Sequence, residues 1–99
     1  MDIILTMNAL QWETVDEMNL NLAKRVRNIR KRKKITQSEM ADMSGVSLGS
    51  IKRFENTGDI SLKSLTKIAV ALECQEAIRG MFTGVAYSSI EEVINEQKR

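Results

Sequence analysis

Histidine and proline are absent from this chain of 99 residues, and cysteine occurs once, at Cys74. With no imidazole and one thiol, neither a disulfide framework nor a Cys/His zinc site can form within one chain. A reduced, cytoplasmic setting is therefore expected. Long apolar runs are also missing: Ile3-Ile4-Leu5 is far too short to span a membrane, and it follows Asp2 rather than a basic segment. Neither an anchor nor a signal peptide is expected. Catalytic constellations are lacking too, with no nucleophile beside a base and no Gly-rich phosphate loop opening a helix. The acidic pairs Asp16-Glu17 and Glu91-Glu92 sit at helix starts, where the helix macrodipole accounts for them. No enzymatic activity, no cofactor and no metal are expected.

The chain has instead 42% apolar and 28% charged residues, enough for one small core in a water-soluble domain. Without proline, and rich in Leu, Ala, Met, Lys, Arg and Glu, it favours helix almost everywhere. The fold class expected is all-α. Net charge is only +2, but its distribution is lopsided. Residues 20–67 hold 12 basic side chains against 4 acidic ones, a balance of +8, and the rest hold 3 against 9, a balance of −6. A basic centre with acidic flanks fits a polyanion site, although such a run also serves as a solvated helix face.

Helix starts recur with the same chemistry. Thr14-Val15-Asp16-Glu17 forms a capping box in which Thr14 accepts from the Glu17 amide and Glu17 reaches back to the Thr14 amide. It opens a helix striped by Met18, Leu22, Val26 and Ile29, with Ala23 beside them, that fades near Lys33. Thr36-Gln37-Ser38-Glu39 is a second box, stapled by Ile35 and Met40, and its helix ends at Gly45. Ser47 caps a third helix, with Val46 and Ile51 as a staple and Ile51 and Phe54 as its buried edge; it closes around Asn56 to Gly58. Ser61 caps a fourth, striped by Leu62, Leu65, Ile68, Ala69 and Leu72, with Ile60 and Leu65 at its start. A fifth is expected over 75–82 despite Gly80, and Gly84 breaks the chain. Ser89-Ile90-Glu91-Glu92 is a last capping box, setting Ile90, Val93 and Ile94 on one face. The expected organisation is an extension over 1–13, a bundle of about five short helices over 14–83, and a tail over 84–99.

Two short helices joined by a Gly turn, TQSEMADMSGVSLGSIKRFEN over 36–56, have a spacing with a physical reason. Ala41 is small where the helices cross, Gly45 permits the tight turn, and Ile51 and Phe54 lock the second helix to the core. Gln37, Ala41, Gly45, Val46, Ile51, Phe54 and Glu55-Asn56 together resemble the helix-turn-helix of the phage repressor and Cro-like family, also called the XRE family. The resemblance covers roughly residues 20–73. It implies a lambda repressor-like domain whose second motif helix enters the major groove of double-stranded DNA.

On that helix the outward positions are Leu48, Gly49, Lys52 and Arg53, with Ser50 a weaker base-edge candidate. Arg53 is the best reader, because its planar fork matches O6 and N7 of guanine, a contact worth about 1 to 3 kcal/mol of discrimination. Lys52 suits guanine or a phosphate. Leu48 can touch a thymine methyl and Gly49 permits close backbone approach, where several relatives carry glutamines or other polar readers. The resemblance implies that Gln37, at a helix amino end, holds a phosphate, and Asn56 and Ser47 join it, though capping alone accounts for Ser47. Arg30 to Lys34, with Arg30 and Lys34 foremost, and Lys63 are candidates for flanking phosphates. The loop Thr57-Gly58-Asp59 lacks the arginine that some relatives send into the minor groove.

Members of the resembled family usually bind as twofold dimers, and Met81, Phe82, Val85, Tyr87, Ile90, Val93 and Ile94 exceed what an exposed tail carries. These residues either pack back on their own domain or build a dimer interface. Trp12 is expected as a packing anchor. The resulting expectation is a homodimeric, sequence-specific transcriptional repressor. Two alternatives stay open: an antitoxin paired with a HipA-type kinase toxin, using the tail over 87–94 for its partner, and a protein-interaction module without DNA binding.

Overall fold

The computed structural model describes residues 12–84 and 87–98. Ile3-Ile4-Leu5, most of the expected extension, and Val85 lie outside the described residues. Within them are six α-helices and no strand: α1 Val15–Arg32, α2 Gln37–Ser44, α3 Leu48–Thr57, α4 Leu62–Ala71, α5 Gln75–Arg79 and α6 Ile90–Lys98. The chain is all-α, as its composition implies.

Hydroxyl caps set where most of these helices begin. Thr14, Thr36, Ser47 and Ser61 each accept from the amide three residues on, at 3.0 to 3.1 Å, and Ser89 does so at 3.2 Å. A cap of this kind is worth about 1 kcal/mol. Only Thr36 and Glu39 complete the reciprocal box, the Thr36 amide donating to the Glu39 carboxylate at 3.0 Å. At the first helix the expected return bond is replaced: the Thr14 hydroxyl, not its amide, donates to Glu17. At the last, Glu92 accepts from the amide of Ser88.

Glycine ends α2 and α3. Gly45 has φ 73° and Gly58 φ 82°, both in the left-handed region where a Cβ is costly. Gly58 has a second constraint, since a Cβ there would sit 2.6 Å from backbone atoms of Asn19 and Leu20. The end of α3 thus rests directly on the main chain of α1.

The core is one cluster of Ala23, Met40, Val46, Ile51, Phe54, Ile68 and Leu72, with Val26, Ile29, Ile35, Ala41, Ile60 and Leu65 packed against it. Every expected staple residue is in that set. Helix α1 packs on α3, α2 packs on both α3 and α4, and α5 packs on α4. Two motif helices are therefore clamped between α1 and α4, with the outer face of α3 left uncovered.

Several expectations are corrected. Leu62 is exposed rather than part of the α4 stripe, because two steps of three residues turn it about 120° away from Ile68. Helix α5 stops at Arg79, not at 82: the Gly80 amide closes on Glu76, and Phe82 takes φ 67°. Trp12 is 84% exposed and anchors nothing among the described residues; Val15 and Met18, on the uncovered first turn of α1, are exposed as well. Phe82, Tyr87 and Ile90 stand largely exposed, and Met81 and Ile94 about half exposed, so most of this apolar surface is left uncovered among the described residues. No helix of the described residues is long and apolar enough to cross a membrane.

Candidate nucleic-acid interface

Ile51 and Phe54 pin α3 to the core from below, and this fixes what the helix shows above. Gly49, Ser50, Lys52, Arg53 and Asn56 are exposed, and Leu48 is half-buried at the first turn. The expected base-reading residues thus share one solvent-facing surface, with Leu48 at its edge. Ser47 acts as the cap: its Oγ accepts from the Ser50 amide and donates to Ser50 Oγ at 2.8 Å.

Arg53 is extended toward the loop after α3, where Nη2 lies 2.9 Å from Asp59 Oδ2. Both side chains are about 70% exposed, and an ion pair so open to water contributes little. A polyanion can displace Asp59 at small cost. Thr57 stiffens the same corner by donating to the Arg53 carbonyl and accepting from the Asp59 amide. With Ser50, Ile60, Ser61 and Ser64, these two residues border a shallow depression where α3 meets α4. Lys63 stands exposed on the adjoining turn of α4.

The second half of the surface forms where α1, α2 and α3 converge. Arg27, Thr36, Gln37, Glu55 and Asn56 surround an open depression there. Beneath it is a buried network that the sequence reading did not include. Glu55, 4% exposed, accepts from Arg30 twice, from Nε and Nη2 at 2.8 Å each. It also accepts from Gln37 Nε2 at 3.1 Å, and Arg27 Nε stands 3.9 Å away. Burial pushes the Glu55 carboxyl up, but hydrogen bonds from Arg30 and Gln37 and the positive charges of Arg30 and Arg27 outweigh it. The carboxyl is held below the usual glutamate value.

This network corrects the assignment of Arg30. Only 7% exposed, its guanidinium is occupied by Glu55 and by the Ile35 carbonyl at 2.8 Å. It joins α1 to α3 and to the α1–α2 loop, with three of its five N–H groups given to protein acceptors and the side chain almost closed to solvent. Arg27, one turn earlier and about half exposed, is the cation presented to solvent at this place. Gln37 has its side-chain amide turned inward to Glu55, so the outward anion donors at the start of α2 are main-chain amides without an intrahelical acceptor. Lys34 is exposed in the α1–α2 loop at φ 58°, and Asn56 is exposed at the rim.

Glu55 had a readable signal. It follows Ile51 by four positions, on the edge of α3 that Ile51 and Phe54 already mark as buried. A carboxylate on such an edge calls for a buried partner.

The surface therefore has the exposed face of α3 with two cations, a helix amino end beside it, and the exposed cations Arg27, Lys34 and Lys63 on neighbouring segments. Such an array offers positive charge and hydrogen-bond donors of the kind that contact phosphates and base edges of a duplex. A family model described as helix-turn-helix matches residues 26–78. No curated protein and no solved structure matches the chain.

Proposed function

Because the chain belongs to this helix-turn-helix family, of the phage repressor and Cro type and DNA-binding in character, we propose that it is a homodimeric, sequence-specific repressor. It occupies an operator in the cytoplasm and reads the major groove with α3. The observation that carries this reading is the uncovered face of α3, with Lys52 and Arg53 exposed and Ile51 and Phe54 locked beneath them. Arg53 exchanges Asp59 for guanine, Lys52 takes a second base edge or phosphate, and Leu48, Gly49 and Ser50 approach the bases closely. Ser47, Gln37 and Asn56 border the phosphate path, and Lys34 and Lys63 hold its flanks. Arg27 takes the place first expected of Arg30.

Two copies on half-sites about 34 Å apart supply the specificity that one motif lacks. The antitoxin reading draws on the exposed apolar residues Tyr87, Ile90 and Ile94 as a contact for a kinase-like protein. Titration of the full chain into mixed-sequence duplex DNA over a salt series tests the main reading. Each phosphate contact adds about 0.9 to the log-log slope, so several contacts give a steep loss of affinity with salt. A flat response, or no binding at low salt, overturns DNA binding and leaves only a protein-interaction role.

A further inference from the structure

Among the described residues two apolar surfaces lack a partner, and their charges are complementary. One is a groove of about 250 Å³ between α1, α4 and α5, walled by Leu22, Val26, Ile29, Leu65, Ile78 and Met81. The other is a face of α6. Ile90, Val93 and Ile94 share that face at helical spacing, with Ile90 79% and Ile94 43% exposed. Among the described residues helix α6 has no part in the main helix packings that build the domain. Its nine residues are too few to hold a helix in water without packing.

Charge distinguishes the occupant. Glu91, Glu92 and Glu96 make α6 acidic, with Lys98 the one cation among its described residues. Arg25 borders the groove, and its lip continues past Ile29 and Cys74 to Arg32 and Lys33. Lys33 reaches Glu73 only at 4.0 Å, and Arg25 and Arg32 have no ion pair among the described residues. An acidic amphipathic helix with an aliphatic face is what such a groove accepts, and the chain itself carries one.

We propose that α6 of one copy docks its Ile90, Val93 and Ile94 face into the groove of a second copy, which returns its own α6. The result is an isologous twofold dimer in which both grooves and both helix faces are covered at once. Among the described residues of one chain, the groove is open and α6 is outside the main helix packing. None of the groove walls comes from α2 or α3, so the exchange leaves the reading helix free. The proposal rests on the homodimer reading above and assigns it a surface.

Sedimentation of the full chain over a concentration series tests it. The wild type runs as a dimer. The double variant Ile90→Asp/Ile94→Asp, altered only at exposed positions, dimerises about tenfold or more weakly; it keeps a cooperative unfolding transition, loses no more far-UV helical signal than the nine residues of α6 supply, and has a midpoint that no longer rises with protein concentration. Met81→Glu, at the groove lip, has the same effect. Val70→Asp, an exposed apolar position on α4 outside the groove, leaves the dimer intact. A dimer indifferent to both the α6 and the groove variants overturns this surface and leaves the homodimer standing. A wild type that is monomeric throughout overturns both.

Discussion

Arg30 and Glu55, one on α1 and one on α3, meet through two parallel hydrogen bonds of 2.8 Å in a site almost closed to water. The fork-to-carboxylate geometry satisfies both charges, and Gln37 and the Ile35 carbonyl take what remains. Because the pair ties α3 to α1, its loss acts on stability and on the orientation of α3 together.

Removing one partner leaves the other as a buried unpaired charge, a change that costs about 3 to 5 kcal/mol. Arg30→Met and Glu55→Leu are each expected to lower the stability measured by urea unfolding in that range. The double variant recovers most of the loss, since apolar replacement of a whole buried pair is often neutral or better. Single variants with stabilities near the wild type contradict the buried network.

Glu55 also sets an acid limit. Its carboxyl titrates below the usual glutamate value in the folded state, so its contribution is fully present above that value and is lost as pH falls through the folded one. The stability gap between wild type and Glu55→Gln is therefore expected to be widest near neutral pH and to close as the pH drops below about 4. Thermal unfolding of both proteins over that range measures it. Glu39, held low by the Thr36 amide, remains in both proteins and cancels in the comparison.

Gly58 is expected to tolerate substitution much less than Gly45. Both have positive φ, but only at Gly58 would a Cβ meet backbone, that of Asn19 and Leu20 at 2.6 Å. Gly45→Ala costs about 1 kcal/mol for the left-handed conformation alone. Gly58→Ala adds separation of α3 from α1 and is expected to cost at least about twice that, read by urea unfolding. Equal losses at the two sites contradict the close approach.

Asp59 competes with DNA for Arg53. Asp59→Asn is expected to tighten duplex binding by several-fold, on the order of the 0 to 1 kcal/mol of an exposed ion pair plus relief of repulsion from phosphate. Fluorescence anisotropy at fixed salt measures the change. Unaltered affinity means Arg53 does not leave Asp59 on binding.

Local chemistry carried most of the fold. Thr36, Ser47 and Ser61 cap helices within three residues of themselves, and Gly45 ends one by its own backbone freedom, so these features are visible in a short window of sequence. The outward face of α3 follows in the same way from Ile51 and Phe54. Contacts between distant segments were less legible. Arg30 and Glu55 are 25 positions apart, and a run of seven basic residues from Arg25 to Lys34 gives no mark of the one that turns inward. The pairing of Arg53 with Asp59 depends on how the loop folds after Gly58. Trp12 is exposed although an aromatic side chain suggests burial, since no other helix of the described residues covers the first turn of α1.

Selection of bound duplexes from a random DNA pool, with the wild type and with Arg53→Ala, tests the central claim most directly. The wild type is expected to enrich a twofold-related pair of half-sites with a guanine at one fixed position in each. Arg53→Ala is expected to bind with a similar salt slope but to lose that guanine, a loss of about 1 to 3 kcal/mol of discrimination at that position alone. Unchanged base preferences in the variant would contradict the assignment of α3 as a reader that depends on Arg53.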